Sequence, residues 1–222
     1  MFIGESQVSF LEDMMWEQGY LDAAQMSGAF QLLRSNDLIW SRIVRSYLMG
    51  ERQPMFDLLA WNADTTRMPY RMHSEYLRKL FLANDLAEGR FEVGGRPVAL
   101  SDIRRHVFAV GTETDHVAPW HSVYKLNLLM DTDVTFLLTN GGHNAGIVSA
   151  PGTPGRHYRV ATKLEHDRYA GPEAWIRWAI KHEGSWWPEW TSWLSARSGD
   201  FVPARVPRQG LKDAPGRYVL QA

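Results

Sequence analysis

Two short apolar runs bracket a helical segment in the middle of the chain, and they limit the fold more than any other feature. His106–Val110 ends at Gly111, and Val134–Leu138 is closed by Asn140-Gly141-Gly142. Each has the length and composition of a buried strand. Between them Pro119–Met130 sets Val123, Leu126 and Met130 on one side of a helix. A strand, a crossover helix and a second strand predict a right-handed parallel βαβ unit. In a sheet of that kind, functional side chains project from the loops beyond the carboxyl ends of the strands.

Those two loops hold chemically suggestive residues. The first is Gly111-Thr112-Glu113-Thr114-Asp115-His116-Val117-Ala118-Pro119, and the second is Gly141-Gly142-His143-Asn144-Ala145-Gly146. Adjacent parallel strands bring both to one edge, where Asp115 can accept from one imidazole nitrogen of His143 and leave the other free to take a proton. Taken singly, Asp115 could cap the helix near Pro119 and His143 could be an ordinary turn residue. Together, on consecutive loops and with the acid first, they are the candidate catalytic pair. His116 is the candidate supporting hydrogen-bond partner. His121 lacks a partner at metal-site spacing, and the glycines around His143 do not make a phosphate loop.

The flanking segments set the architecture. Residues 1–89 read as helices joined by turns. Val8, Leu11 and Met15 precede Gly19, and Met26, Phe30 and Leu33 share a face behind Asp22. Leu38–Met49 ends at Gly50, Pro54 introduces Met55–Trp61, and Pro69 opens a longer helix through Met72, Tyr76 and Leu80 toward Gly89. Phe91-Glu92-Val93, Gly94-Gly95 and Pro97-Val98-Ala99 predict a hairpin. Residues 172–194 read as helical and hold six of the ten tryptophans, a cluster better suited to packing than to a binding surface. Residues 195–222, rich in proline and glycine, read as an extended tail. The formal charge of −1 offers no basic field for nucleic acid, and no apolar run has the length of a membrane span. A cytoplasmic protein is the expectation. With no cysteine, the 222 residues hold no thiol nucleophile, and no serine sits in a Gly-x-Ser-x-Gly frame. Two parallel strands and a hairpin cannot bury both faces of a complete sheet, so the centre is expected to be unfinished.

Several stretches together resemble a known family. Leu58-Leu59-Ala60-Trp61-Asn62-Ala63-Asp64-Thr65-Thr66-Arg67-Met68-Pro69 with Tyr76-Leu77-Arg78 resembles the cap region of polyhydroxyalkanoate synthases. Thr114–Trp120 is similar to that family's acid loop, and Gly142–Ile147 to its histidine loop. Gly184–Trp190 and Ala214–Val219 resemble the end of its class I members. The motifs fall in the family's order from about Gln7 to the last residues.

The resemblance implies an α/β fold, specifically an incomplete α/β-hydrolase: a helical cap over 1–89, the last parallel strands and helices of the core over 90–194, and the tail over 195–222. It implies an acyltransferase that polymerises (R)-3-hydroxyacyl-CoA into polyester and releases CoA, with no cofactor beyond the coenzyme A of the substrate. Its nucleophile is a cysteine in a Gly-x-Cys-x-Gly-Gly elbow, absent here, while His143 corresponds to the base and Asp115 to the acid. The implied partners are the substrate, the polyester chain, and a missing N-terminal synthase half or a full-length synthase. For Met14, Met15 and the other apolar residues of the cap, a dimer surface is the alternative to packing, and for the tryptophan cluster the alternative is contact with the polymer or the polyester granule. Two readings compete with it: a non-catalytic module that pairs with full-length synthase, and a fragment of an acyl-thioester or polyester hydrolase. Arg67, Arg71 and Arg78 could meet CoA phosphates but read better as helix-surface charges.

Overall fold

A computed structural model describes residues 3–22, 25, 40–51 and 67–206. The helices expected over Met26–Leu33 and Met55–Trp61, the cap-like stretch 58–66 and the end of the tail lie outside those residues. The described residues group into two compact units, one over those up to Asn84 together with Val206 and one over Asp85–Arg205. Among them, no helix is long and apolar enough to cross a membrane.

The first unit is built on helix α1 (Glu5–Trp16). Val8 and Met15, two turns apart on one face, are fully buried. Strand β1 (Tyr20–Leu21) follows, and helix α2 (Ser41–Ile43) continues as a π-helical turn over Val44–Leu48. Strand β2 (Met68–Pro69) pairs antiparallel with β1, Tyr20 opposite Pro69, a contact too short to show in the sequence. Pro69 then leads into helix α3 (Tyr70–Glu75), which widens into a π-helix over Tyr76–Leu82. The helix stops before Asn84, which takes the left-handed conformation with φ 52°, five residues short of the expected end near Gly89.

Charge joins α1 to α3. Arg78 grips Glu12 with both Nε and Nη2, each at 2.7 Å, and also pairs with Glu5. Ser74 donates its hydroxyl to the same Glu12 carboxylate. Arg71 pairs with Glu75 at 2.8 Å, and the Arg67 guanidinium lies 4.8 Å from the centre of the Tyr20 ring. All three arginines therefore have partners within this unit.

This unit is expected to be acid-labile in two steps. Burial holds the His73 imidazole below its ordinary value of 6.5. The hydrogen bonds from Arg78 and Ser74 bring Glu12 down from 4.5 to about 2. Both folded values are depressed, so the stability each group contributes is complete above its ordinary pKa and is lost as pH falls through the folded one. Amide exchange of Glu5–Trp16 and Tyr70–Glu75, corrected for intrinsic rates, should quicken first below pH 6.5 and again between 4.5 and about 2. His73→Gln should remove only the first step. Uniform protection down to pH 4 would refute the assignment to His73.

The second unit carries the sheet. The expected hairpin forms from β3 (Phe91–Val93) and β4 (Arg96–Val98), turning on Gly94 and Gly95, both at positive φ. A mixed four-stranded sheet follows in the order β5-β6-β7-β8: β5 (Val107–Thr112), β6 (Val134–Thr139), β7 (His157–Lys163) and β8 (Ile180–Glu183). The β5–β6 pair is parallel, as the sequence predicts, but β6–β7 and β7–β8 are antiparallel. The sheet therefore does not end in parallel strands alone.

Two helical segments differ from expectation for local reasons. The crossover is not one helix but two single turns, α4 (Trp120–Val123) and α5 (Leu126–Leu129). Buried Asn127 donates its side-chain amide to the Tyr124 carbonyl at 3.0 Å. That carbonyl is the one an unbroken helix would have offered to the Leu128 amide, which bonds Lys125 instead. Residues 172–194 are likewise interrupted: α6 (Pro172–Trp178), then β8, then α7 (Trp187–Ser195). Gly184, at φ 98°, makes the corner between β8 and α7.

Every residue of β6 is buried, so the sheet is covered on both faces. Phe136 and Leu138 point to one side, among Ala109, Trp120, Tyr124 and Trp175. Leu137 points to the other, with Tyr158 and Trp186. The strands missed in the sequence thus provide the width that two strands and a hairpin lacked. Strand β5 is at the sheet's edge, with β6 as its one partner among the described residues.

Candidate functional site

The acid loop leaves β5 and the histidine loop leaves β6. These strands run parallel in register, from Val107 opposite Val134 to Thr112 opposite Thr139, so their carboxyl ends finish side by side. Two backbone bonds carry the contact beyond the strands: the Glu113 amide to Thr139 at 2.9 Å and the Thr114 amide to Gly141 at 3.1 Å. The loops are therefore stitched together before any side chain is considered.

Asp115 and His143, which are 28 residues apart, meet at this rim with Nδ1 of the imidazole 2.8 Å from Oδ2. The carboxylate is saturated: Oδ1 accepts the amides of Val117 and Ala118, each at 2.8 Å, and Oδ2 also faces the Thr112 hydroxyl at 3.3 Å. Asp115 thus holds its own turn and binds the imidazole at once, but it does not cap the helix near Pro119, whose N-cap receives no side-chain bond. Burial pushes its carboxyl pKa up, but hydrogen bonds from Ala118, His143 and Val117 together outweigh that and hold it below the ordinary value. An ionised carboxylate only accepts, so Nδ1 carries the proton and Nε2 presents a lone pair.

Exposure separates the two roles. The Asp115 side chain is 7% exposed and that of His143 is 45% exposed. The acid is shielded in a polar nest, while nearly half of the imidazole is open to solvent. His116, next in the chain, is exposed, and among the described residues its ring bonds neither of the two. A second pair stands on this rim without a signal in the sequence, His157 Nε2 with Glu113 Oε1 at 3.3 Å. Its histidine is the first residue of β7, a strand the sequence did not announce. His121 pairs with Glu173 at 3.0 Å.

Glycines bring the two loops into contact. A Cβ on Gly146 would sit 2.6 Å from Cγ2 of Thr112 and 3.0 Å from the Gly142 carbonyl. Gly141 has φ 105° and would place a Cβ 2.9 Å from Arg156. Gly146 thus lets the histidine loop lie directly against the end of β5, while Gly141 lets that loop fold back on its own Gly146.

No protein-family model matches the chain. Over 99% of its length it is similar to the poly(3-hydroxyalkanoate) polymerase of Methylorubrum extorquens, 41% identical over 223 residues. It is similar over the same share to poly(3-hydroxyalkanoate) polymerase 2 of Ectopseudomonas oleovorans, 38% identical over 229 residues. Over 90% of the chain it matches the poly(3-hydroxyalkanoate) polymerase subunit of Cupriavidus necator, 36% identical over 205 residues. The chain spans 36%, 40% and 34% of those proteins' lengths, in that order.

Proposed function

This chain is a relative of part of the poly(3-hydroxyalkanoate) polymerases, and on that premise we propose that it supplies the acid and base of an acyltransferase whose nucleophile lies outside these 222 residues. The observation that carries the reading is the 2.8 Å contact between His143 Nδ1 and a shielded, ionised Asp115, with Nε2 left open. That arrangement makes His143 a general base looking for a proton donor. The chain has no cysteine, so the thiol of a Cys–His–Asp triad comes from elsewhere.

In the proposed reaction Nε2 takes the proton of that thiol, and the thiolate attacks the thioester carbonyl of an (R)-3-hydroxyacyl-CoA. A new carbon–sulfur bond forms, the bond to CoA breaks, and the departing CoA thiolate is protonated by the imidazolium. A hydroxyl of the next unit then gives its proton to the free base and attacks the enzyme thioester. An ester bond forms, and the thiol recovers its proton. Asp115 holds the tautomer and stabilises the imidazolium throughout without itself becoming protonated. The four-stranded sheet stands for the end of an α/β-hydrolase sheet, and the open edge of β5 is where earlier strands would join it. Residues 1–89 stand for the helical cap, and the polyester granule in the cytoplasm is the place of work.

The test is complementation. Purified alone, the chain should release no burst of CoA from 3-hydroxybutyryl-CoA. Co-expressed with the Cys-bearing N-terminal half of a polymerase, it should restore steady release together with polymer. A burst from the chain alone would overturn the assignment of the nucleophile to another segment. Free hydroxy acid in place of polymer would indicate a hydrolase.

A further inference from the structure

Three consecutive residues at the start of α7 take up three backbone carbonyls of the stretch that follows His143. Buried Trp186 donates Nε1–H to the Gly146 carbonyl at 3.1 Å, and half-buried Trp187 donates Nε1–H to Ile147 at 2.9 Å. Ser185 donates its hydroxyl to the Ser149 carbonyl and accepts the Trp187 amide at 3.1 Å. Burying an indole on this helix does not by itself produce such a bond: Trp193, two turns on, keeps its Nε1 buried without a partner among the described residues. The two indoles at 186 and 187 are aimed at a specific backbone.

That backbone is continuous with His143. The Gly146 amide returns to the Gly142 carbonyl at 2.9 Å, and the Asn144 carbonyl takes the amides of Ile147 and Val148. A shift of Gly146 and Ile147 therefore moves the turn on which His143 stands. The ring itself has little packing to hold it, being nearly half exposed, and Asp115 is its one hydrogen-bond partner among the described residues. Its position is set by the backbone beneath it.

We infer that Trp186 and Trp187 are positioning residues for His143, their indole N–H groups fixing the histidine loop so that the imidazole stays within reach of Asp115. The inference rests on the reading of His143 as the base. Each indole N–H is spent on a backbone carbonyl. Gly146 is buried, so its carbonyl depends on the Trp186 donor, and the two bonds together tie the loop to α7.

Substitution by phenylalanine removes the donor and keeps an aromatic ring, and the ring volume it gives up is matched in the control Trp193→Phe. In the full 222-residue chain, NMR of 15N-labelled histidine reports the Nδ1 proton bridging to Asp115 and the titration of the His143 ring. Asp115→Asn defines the state in which that bridge is gone. Trp186→Phe and Trp187→Phe are each expected to lose the bridging resonance and to move the titration toward that of Asp115→Asn. Trp193→Phe, which removes a donor with no acceptor, should change neither. If Trp186→Phe and Trp187→Phe titrate like the unaltered chain with the resonance intact, the indoles only pack, and the inference falls. Should Trp186→Phe fail to fold, the less buried Trp187→Phe decides alone. No CoA release enters the measurement, so a failed complementation and a failed clamp are separate results.

Discussion

With the Cys-bearing half of a polymerase supplied in trans, His143→Gln is expected to lower CoA release by about three to four orders of magnitude. The ring is nearly half exposed and makes one hydrogen bond among the described residues, so its loss should leave the melting temperature and far-ultraviolet dichroism of the chain nearly unchanged. Asp115→Asn should cost a comparable amount by a different route. An asparagine can still present its oxygen to the Val117 and Ala118 amides, which forces its NH2 toward His143. Nδ1 must then accept rather than donate, the proton moves to Nε2, and the lone pair needed for catalysis is buried against the acid loop. Because the two act as one unit, the double substitution should be hardly worse than His143→Gln alone. Full activity of the double variant would instead favour a non-catalytic module that pairs with intact synthase.

The part of the fold legible in the sequence is the part in which local pattern and tertiary role agree. Strands β5 and β6 are apolar runs stopped by glycine and asparagine, and β6 is buried along its whole length. Strands β7 and β8 carry no such mark. His157–Lys163 mixes Tyr158 and Val160 with Arg159 and Lys163, and Ile180–Glu183 is an edge strand of four residues with three of them exposed. Their ladder bonds come from neighbours, whatever their own composition, which is why a strand of this kind has no signature. The tryptophans misled in the same way. Trp175 and Trp178 lie on α6, and Trp187, Trp190 and Trp193 on α7, but the helical spacing does not show that the chain turns into a strand between them.

At the site, the acid–imidazole pair was legible because both residues stand on loops whose strands announce themselves and whose parallel register follows from the crossover. The second pair, Glu113 with His157, was hidden because it depends on the return of β7 beside β6. The indole donors of 186 and 187 were hidden because a tryptophan's packing and its hydrogen bond are indistinguishable in sequence. What identifies them is the carbonyl each one meets some forty residues away.

The other large effect is expected at Gly146, a residue with no side chain to take part in the chemistry. Its φ is ordinary, so the constraint is space alone: an added methyl would lie 2.6 Å from Cγ2 and 3.0 Å from Cβ of Thr112. Thr112 cannot swing aside freely. It is β-branched and buried, and its hydroxyl faces Asp115 at 3.3 Å. The Gly142 carbonyl, also 3.0 Å from the added carbon, closes the other direction. The strain in Gly146→Ala is therefore relieved by lifting the histidine loop off β5, at a cost of about 1–3 kcal/mol in stability. A displacement on the order of 1 Å at the base is enough to lose about a hundredfold in CoA release from the complemented enzyme. Thr112→Ser removes the methyl that obstructs while keeping the hydroxyl, so Thr112→Ser/Gly146→Ala should recover most of the loss, and the cycle of four proteins should show strong coupling between the two positions. A Gly146→Ala variant that keeps both its activity and the bridging proton between His143 and Asp115 would mean that the loop has slack there, and that close packing against Thr112 is not what sets the base in place.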